Sequence, residues 1–203
     1  VTGASSGIGI DIARALAREG VTKLGICARR TNKLDETKEI LENEFPNVEI
    51  STFACDIGDD DSRDKLVEEV LYKFGNLDIL VNNAGVEKTY YFEKDSPESI
   101  ISQININCLG TMLLTHAFLP QMIKRETGAV VMMSSLAGKV GIPYGSVYSA
   151  NRFCTKGFAS ALRAEMRHRK TGVSIHSVHP GFVSDTGMYA EGEMHKIAPS
   201  HWL

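Results

Sequence analysis

The chain has 203 residues, 43% hydrophobic and 23% charged, enough apolar sequence for one domain, 1–203, with a substantial core. A net charge of −3 gives no basic surface for nucleic acid or an anionic membrane, and no apolar run reaches the ~18 residues of a membrane span. The four cysteines, Cys27, Cys55, Cys108 and Cys154, form no CxxC or Cys/His cluster. They read as reduced core thiols of an intracellular protein, the cytoplasm being the expected compartment, with no metal site. The sequence opens on Val1-Thr2-Gly3 with no strand visible ahead of it and closes on Ser200-His201-Trp202-Leu203 without a closing element. It reads as trimmed at both ends, so no conclusion about a leader or an anchor follows.

Residues 7–18 carry Ile8, Ile12, Ala15 and Leu16 at helical spacing and stop at Gly20. "KLGICA", 23–28, is a strand candidate. Leu34, Leu41 and Phe45 mark a helix ended by Pro46, and 48–54 reads as a strand. Leu66, Val67, Val70, Leu71 and Phe74 mark a helix before Gly75, and "LDILVNNAG" is a strand running into a glycine turn. A helix around 99–122, the strand "AVVMMSS", a helix over about 146–169 and the strand "VSIHSVHPG" complete the alternation. Continuous apolar strands between helices predict a parallel sheet covered on both faces, a doubly wound α/β fold. Ligands of such sheets bind at the carboxyl ends of the strands, so the informative motifs belong just after strands.

The first of these is "TGASSGIG", with Gly3, Gly7 and Gly9 opening the first helix. Gly3 suits the turn out of a strand, Gly7 the approach of backbone to a pyrophosphate, and Gly9 close helix packing. The helix amino end adds free N–H donors, making Gly3, Ser5, Ser6, Gly7, Ile8 and Gly9 the candidate phosphate-binding set. The spacing is not that of a P-loop, which disfavours phosphoryl transfer. The next strand ends "CARR", where an acid would suit ribose hydroxyls and an arginine suits a 2′-phosphate. Arg29 is the stronger candidate, Arg30 the second, and the expected cofactor is NADP.

With "CDI" at 55–57, "NNAG" at 82–85, "NINCLG" at 105–110, "SSLAG" at 134–138, Tyr148 and "HPGFV" at 179–183, the chain resembles the short-chain dehydrogenase/reductase family. The motifs stand in the family's order across nearly the whole chain. The resemblance implies a Rossmann-type domain and a set of roles. Asp56 would bond the adenine amino group beside the Ile57 backbone. Asn83, Ala84 and Gly85 would line the adenine ribose and support the sheet. Pro180, Gly181 and Val183 would meet the nicotinamide end. Ser135, thirteen residues before Tyr148, is the implied catalytic serine in preference to Ser134, and Asn107 matches the asparagine of the family's proton relay. The family's subunits pair through the two long helices here, so a homodimer or homotetramer is implied.

The residue types suit hydride transfer to a carbonyl. Negative charge builds on the carbonyl oxygen, a tyrosine hydroxyl protonates it, and the phenolate takes the proton back in reverse. A tyrosine hydroxyl ordinarily titrates near ~10 and needs a neighbouring positive charge to act near neutrality. Ser135 would hold the substrate oxygen. Where the family has lysine four residues after the tyrosine, this chain has Arg152, on the same helix face as Tyr148 and facing the ribose. The charge is kept, but a planar guanidinium that does not deprotonate is expected to impair the relay through Asn107. Lys156 lies two turns from Tyr148, roughly 12 Å along the axis, and reads as a surface residue. Tyr144 has the wrong spacing for the acid and is expected to line the substrate pocket, and Tyr90, Tyr91 and Phe92 hint that this pocket is aromatic.

After "PGFV" the family has threonine two residues on, where this chain has Asp185, with Thr186 one later. His116, His176 and His179 read as structural, since no pair has metal spacing. Phe158, Leu162 and Met166 read as a core face. The expected activity is an NADP-dependent reduction or oxidation of a small carbonyl or alcohol. The alternative is a nucleotide-binding regulator or scaffold with little turnover, for which Arg152 is the motive. A nucleic-acid-binding reading has no basic patch behind it.

Overall fold

The computed structural model describes residues 1–88, 90–181 and 183. Five strands, β1 (Lys23–Ala28), β2 (Glu49–Ala54), β3 (Ile79–Asn82), β4 (Gly128–Met133) and β5 (Val173–Val178), alternate with helices. The helices are α1 (Ile8–Arg18), α2 (Thr31–Glu44), α3 (Asp60–Phe74), α4 (Pro97–Ile104), α5 (Gly110–Lys124) and α6 (Ser146–His168). Every strand pair is parallel.

β1 pairs with β2, and β3, β4 and β5 form a second ladder. Residues 1–4 join them. The N–H of Thr2 donates to the Val81 carbonyl at 3.0 Å, while Val1 accepts from Cys27 and Ala4 donates to Cys27 on the other side. The opening residues therefore do a strand's work, through the single bridge of Thr2 to Cys27. The spatial order β2, β1, 1–4, β3, β4, β5 reverses direction beside residues 1–4, the topological switch point of a Rossmann-type sheet.

Strand alternation separates two cores. Leu24, Ile26 and Ala28 face Ala13, Leu34 and Leu41 from α1 and α2. Cys27, Phe53, Val130, Met132 and Ile175 face the opposite layer, where Leu66, Leu114, Phe118, Leu162 and Met166 come from α3, α5 and α6. Leu162 and Met166 are buried and Phe158 packs against them, the core face expected of α6.

Three expectations need correcting. The helix around 99–122 begins earlier, at Pro97 with Ser96 as its cap, and is interrupted by a π-helical segment, Asn105–Leu109. Cys27 and Cys55 are buried free thiols, but Cys108 and Cys154 are joined as a disulfide, with Cα atoms 6.4 Å apart. Their 46-residue separation hides a contact that only helix packing creates. Lys156 is half-buried, its ammonium 5.6 Å from the Phe153 ring centroid. Among the described residues no helix is long and apolar enough to cross a membrane.

Candidate active site

The ends of all five strands, together with residues 1–4, open into one cavity of about 720 Å³. After residues 1–4 comes the glycine loop, after β1 Arg29 and Arg30, and after β2 Cys55, Asp56 and Ile57. After β3 come Asn83, Ala84 and Gly85, after β4 Ser134 to Ala137, and after β5 Pro180, Gly181 and Val183. Tyr148 and Arg152 of α6 complete the lining. Parallel pairing explains the convergence, since it brings every carboxyl end to the same edge.

The glycine loop lies tight against the turn after β3. Gly3 has φ +67°, and a Cβ there would sit 2.8 Å from the Ala84 Cα. A Cβ on Gly9 would lie 2.3 Å from the Gly3 carbonyl oxygen, so α1 packs on the loop itself. Asn83 ties the turn down, its side-chain amide donating to the Thr2 carbonyl at 2.9 Å and its N–H to the Thr2 hydroxyl at 3.0 Å. The resulting cradle of closely approached backbone at a helix amino end suits a pyrophosphate.

The two arginines, both lining the cavity, make different contacts. Arg30 reaches over the loop and donates to the Ser6 hydroxyl at 3.1 Å and the Ser5 hydroxyl at 3.5 Å. Arg29 turns to Asp56, 3.8 Å away and largely exposed. Asp56 accepts the Gly58 N–H at 2.9 Å through its other oxygen. Beneath it, a hydrogen bond to Cys55 and then burial push the Cys27 thiol well above its ordinary pKa.

At the far end, Ser134 and Ser135 separate cleanly. The Ser134 hydroxyl donates to the Arg152 carbonyl at 2.9 Å and is buried, while Ser135 is half-buried and its hydroxyl accepts the Ala137 N–H at 3.2 Å. His179 sits 3.3 Å from the Ser135 carbonyl and 3.2 Å from the Ser177 hydroxyl, so it braces the strand end. Tyr148 is 6% exposed and lines the cavity, with no partner for its hydroxyl among the described residues.

Arg152 is 4% exposed. One terminal nitrogen donates to the Met133 carbonyl at 2.9 Å, and the guanidinium carbon stands 4.8 Å from the Tyr148 ring centroid. This is a cation over an aromatic face. Its Nε is buried with no partner among the described residues. The space that receives the guanidinium exists because residue 85 is glycine, a Cβ there lying 2.6 Å from the Arg152 Nη2 and 3.0 Å from the Asn107 Oδ1.

Asn107 sits in the π segment and is 1% exposed. Its side chain clasps Val86 at both ends, accepting from the N–H and donating to the carbonyl, each at 2.8 Å. Its own carbonyl lies 3.4 Å from the Thr111 hydroxyl and 3.3 Å from that of Thr155, whose nearer acceptor is the Asn151 carbonyl at 3.0 Å. Thr111 and Thr155 lie outside every motif read from the sequence, and helical i, i+4 spacing alone does not pick them out.

Tyr144 does not line the cavity. Its ring packs edge-on against Tyr91, centroids 5.3 Å apart, and Tyr90 takes the lining position. Asp185 and Thr186 lie outside the described residues. Among those residues no group of three or more His, Cys, Asp or Glu is placed to hold a metal.

Comparison with known proteins agrees with this geometry. The family profile described as short chain dehydrogenase matches residues 1–196. Ketoacyl reductase HetN of Nostoc sp. is 38% identical over 189 residues, covering 93% of this chain and 64% of the relative. Dehydrogenase/reductase SDR family member 7B of Bos taurus is 33% identical over 187 residues, covering 90% and 57%. The chain thus spans between about half and two thirds of the length of such curated relatives. Among solved structures, a variant of actinorhodin polyketide ketoreductase with NADPH superposes with TM-score 0.90 at 33% identity, covering 100% of this chain and 75% of that one. A metagenomic short-chain oxidoreductase in complex with NADP gives 0.83 at 33%, covering 90% and 81%.

Proposed function

We propose that this chain, which belongs to the short chain dehydrogenase family, transfers a hydride between NADP(H) and a carbonyl or secondary alcohol. One observation carries the reading: a single cavity is lined by a glycine cradle with two arginines and also by Ser135, Tyr148 and Arg152. Solved relatives titled with NADP or NADPH support the choice of cofactor.

Gly3, Ser5, Ser6, Gly7, Ile8 and Gly9 would hold the pyrophosphate, with Arg30 and Arg29 at a 2′-phosphate. Asp56 and Ile57 would meet the adenine, and Asn83, Ala84 and Gly85 its ribose. Pro180, Gly181 and Val183 would bound the nicotinamide, which when bound supplies the hydride. Tyr148, which lines the cavity, is the proposed acid. Ser135 holds the substrate oxygen by hydrogen bond, which strengthens as charge develops there. Arg152 holds positive charge over the Tyr148 ring, favouring the phenolate left when the proton departs. Asn107 positions the Val86 turn beneath Arg152.

NADPH oxidation measured against a carbonyl panel tests the assignment. Tyr148→Phe is expected to lower kcat by about 100-fold or more, the usual contribution of general acid catalysis; unchanged turnover overturns it. Arg29→Ala and Arg30→Ala are each expected to weaken NADPH but not NADH by about tenfold. A chain that prefers NADH refutes the arginine roles. The commitment of Arg152 to Met133 favours a second reading, a nucleotide-holding regulator. Cofactor binding without carbonyl-dependent oxidation, unrescued by Arg152→Lys, selects it.

A further inference from the structure

We propose that Tyr90, held in place from outside the cavity by Tyr91 and Tyr144, is the specificity wall of this site and selects substrates with a ring-sized apolar group on the reacting carbon. The substrate's chemistry rests on the reductase reading above, whereas the wall rests on geometry alone. The cavity is chemically lopsided. Arg29, Arg30 and Asp56 gather at one end, while Tyr90, Leu136, Ile142 and Val183 line the end that holds Ser135 and Tyr148. Apart from Arg152, committed to the Met133 carbonyl and the Tyr148 ring, the charged side chains lining this second end, Glu87 and Lys88, belong to the same loop as Tyr90.

Tyr144 adopts φ +63°, a left-handed conformation costly for a bulky residue. The other non-glycine residues with positive φ, Glu126 and Lys170, follow the ends of α5 and α6, where that conformation is an ordinary helix terminator. Tyr144 terminates no helix. Its strained turn is held by contacts that join two loops: its carbonyl accepts the Tyr90 N–H at 2.9 Å, and its ring meets Tyr91 at 74°. The Lys94 ammonium stands 5.1 Å from the Tyr91 ring centroid. Gly145 completes the corner, because a Cβ there would lie 2.7 Å from the Ile142 Cγ1 and push that side chain out of place.

The joined loops are the one leaving β3 and the one between Ser135 and Tyr148, so they frame the position a carbonyl must occupy. Tyr90 and Leu136, which line the cavity, remain 41% and 48% exposed, a concentration of large apolar surface that marks a binding surface, and Tyr91 beside Tyr90 is 49% exposed. A flat ring gains edge and face contacts there that a short alkyl group does not.

The test measures kcat/KM for acetophenone and acetone with NADPH. The natural chain is expected to favour acetophenone. Tyr91→Ala is expected to lower that preference about tenfold while changing the acetone value less than about threefold, the scale on which apolar pocket contacts discriminate. Tyr144→Gly, which accepts the positive φ and removes the ring, guards against misfolding and is expected to act in the same direction with its melting temperature maintained. Equal losses on both ketones, or an unchanged preference in both variants, overturn the wall. Binding of acetophenone to Tyr148→Phe with NADPH, followed by ligand-observed NMR, separates the two readings. Binding weakened by Tyr91→Ala sustains the wall even if no turnover occurs in the natural chain. Acetophenone binding no tighter than acetone refutes it.

Discussion

Arg152 shows how one side chain depends on residues distant in sequence. Its guanidinium lies over the Tyr148 ring, bonds the Met133 carbonyl and occupies the space left by the missing side chain of Gly85. A methyl group at residue 85 meets Arg152 Nη2 at 2.6 Å. Gly85→Ala is therefore expected to destabilise the chain by about 1–3 kcal/mol, as overpacking does. Arg152→Lys is expected to recover part of that loss, since the shorter head vacates the clash; a double-mutant cycle by denaturant titration measures the coupling. Strict additivity overturns the contact. The presence of Arg152 and its helical register with Tyr148 were both legible in the sequence. Its bond to Met133 was not, because strand and helix meet there only through the fold. The same holds for Arg30, whose bonds to Ser5 and Ser6 depend on where β1 ends relative to the glycine loop.

Among the elements, the interrupted helix departs furthest from the sequence pattern. Apolar periodicity runs through 99–122 without a break, yet Asn105–Leu109 takes a π-helical turn between α4 and α5. Such bulges concentrate at functional positions, and this one carries Asn107, clasped to Val86. Beside it, Cys108 is bonded to Cys154, which joins the segment bearing Asn107 to the helix bearing Tyr148. Thiol titration tests this element. The denatured, unreduced chain is expected to show two thiols, Cys27 and Cys55, and all four after reduction. Four thiols before reduction contradict the cross-link. In the native chain Cys27 is expected to resist labelling at neutral pH, because its neighbour and its burial raise its pKa and keep it protonated.

At the scale of the whole molecule, the helices around the site leave a large apolar surface. Ile101, Ile104, Leu109, Leu113 and Phe153 are 56%, 43%, 40%, 39% and 43% exposed. Pairing through these helices is expected to give a dimer or tetramer by light scattering, and Ile104→Asp with Phe153→Asp to shift it towards the monomer. A monomeric natural chain refutes the expectation. The sequence by itself determined the strand–helix alternation, the parallel sheet and the motifs at its edge, because period, glycine spacing and turn residues act locally. Only the tertiary structure decided that residues 1–4 bridge two ladders, that Cys108 meets Cys154, that the Thr155 hydroxyl reaches the Asn107 carbonyl, and that Tyr144 turns from the cavity towards Tyr91. These contacts join residues far apart in the chain, and their partners are set by where packed layers meet, which no local pattern encodes.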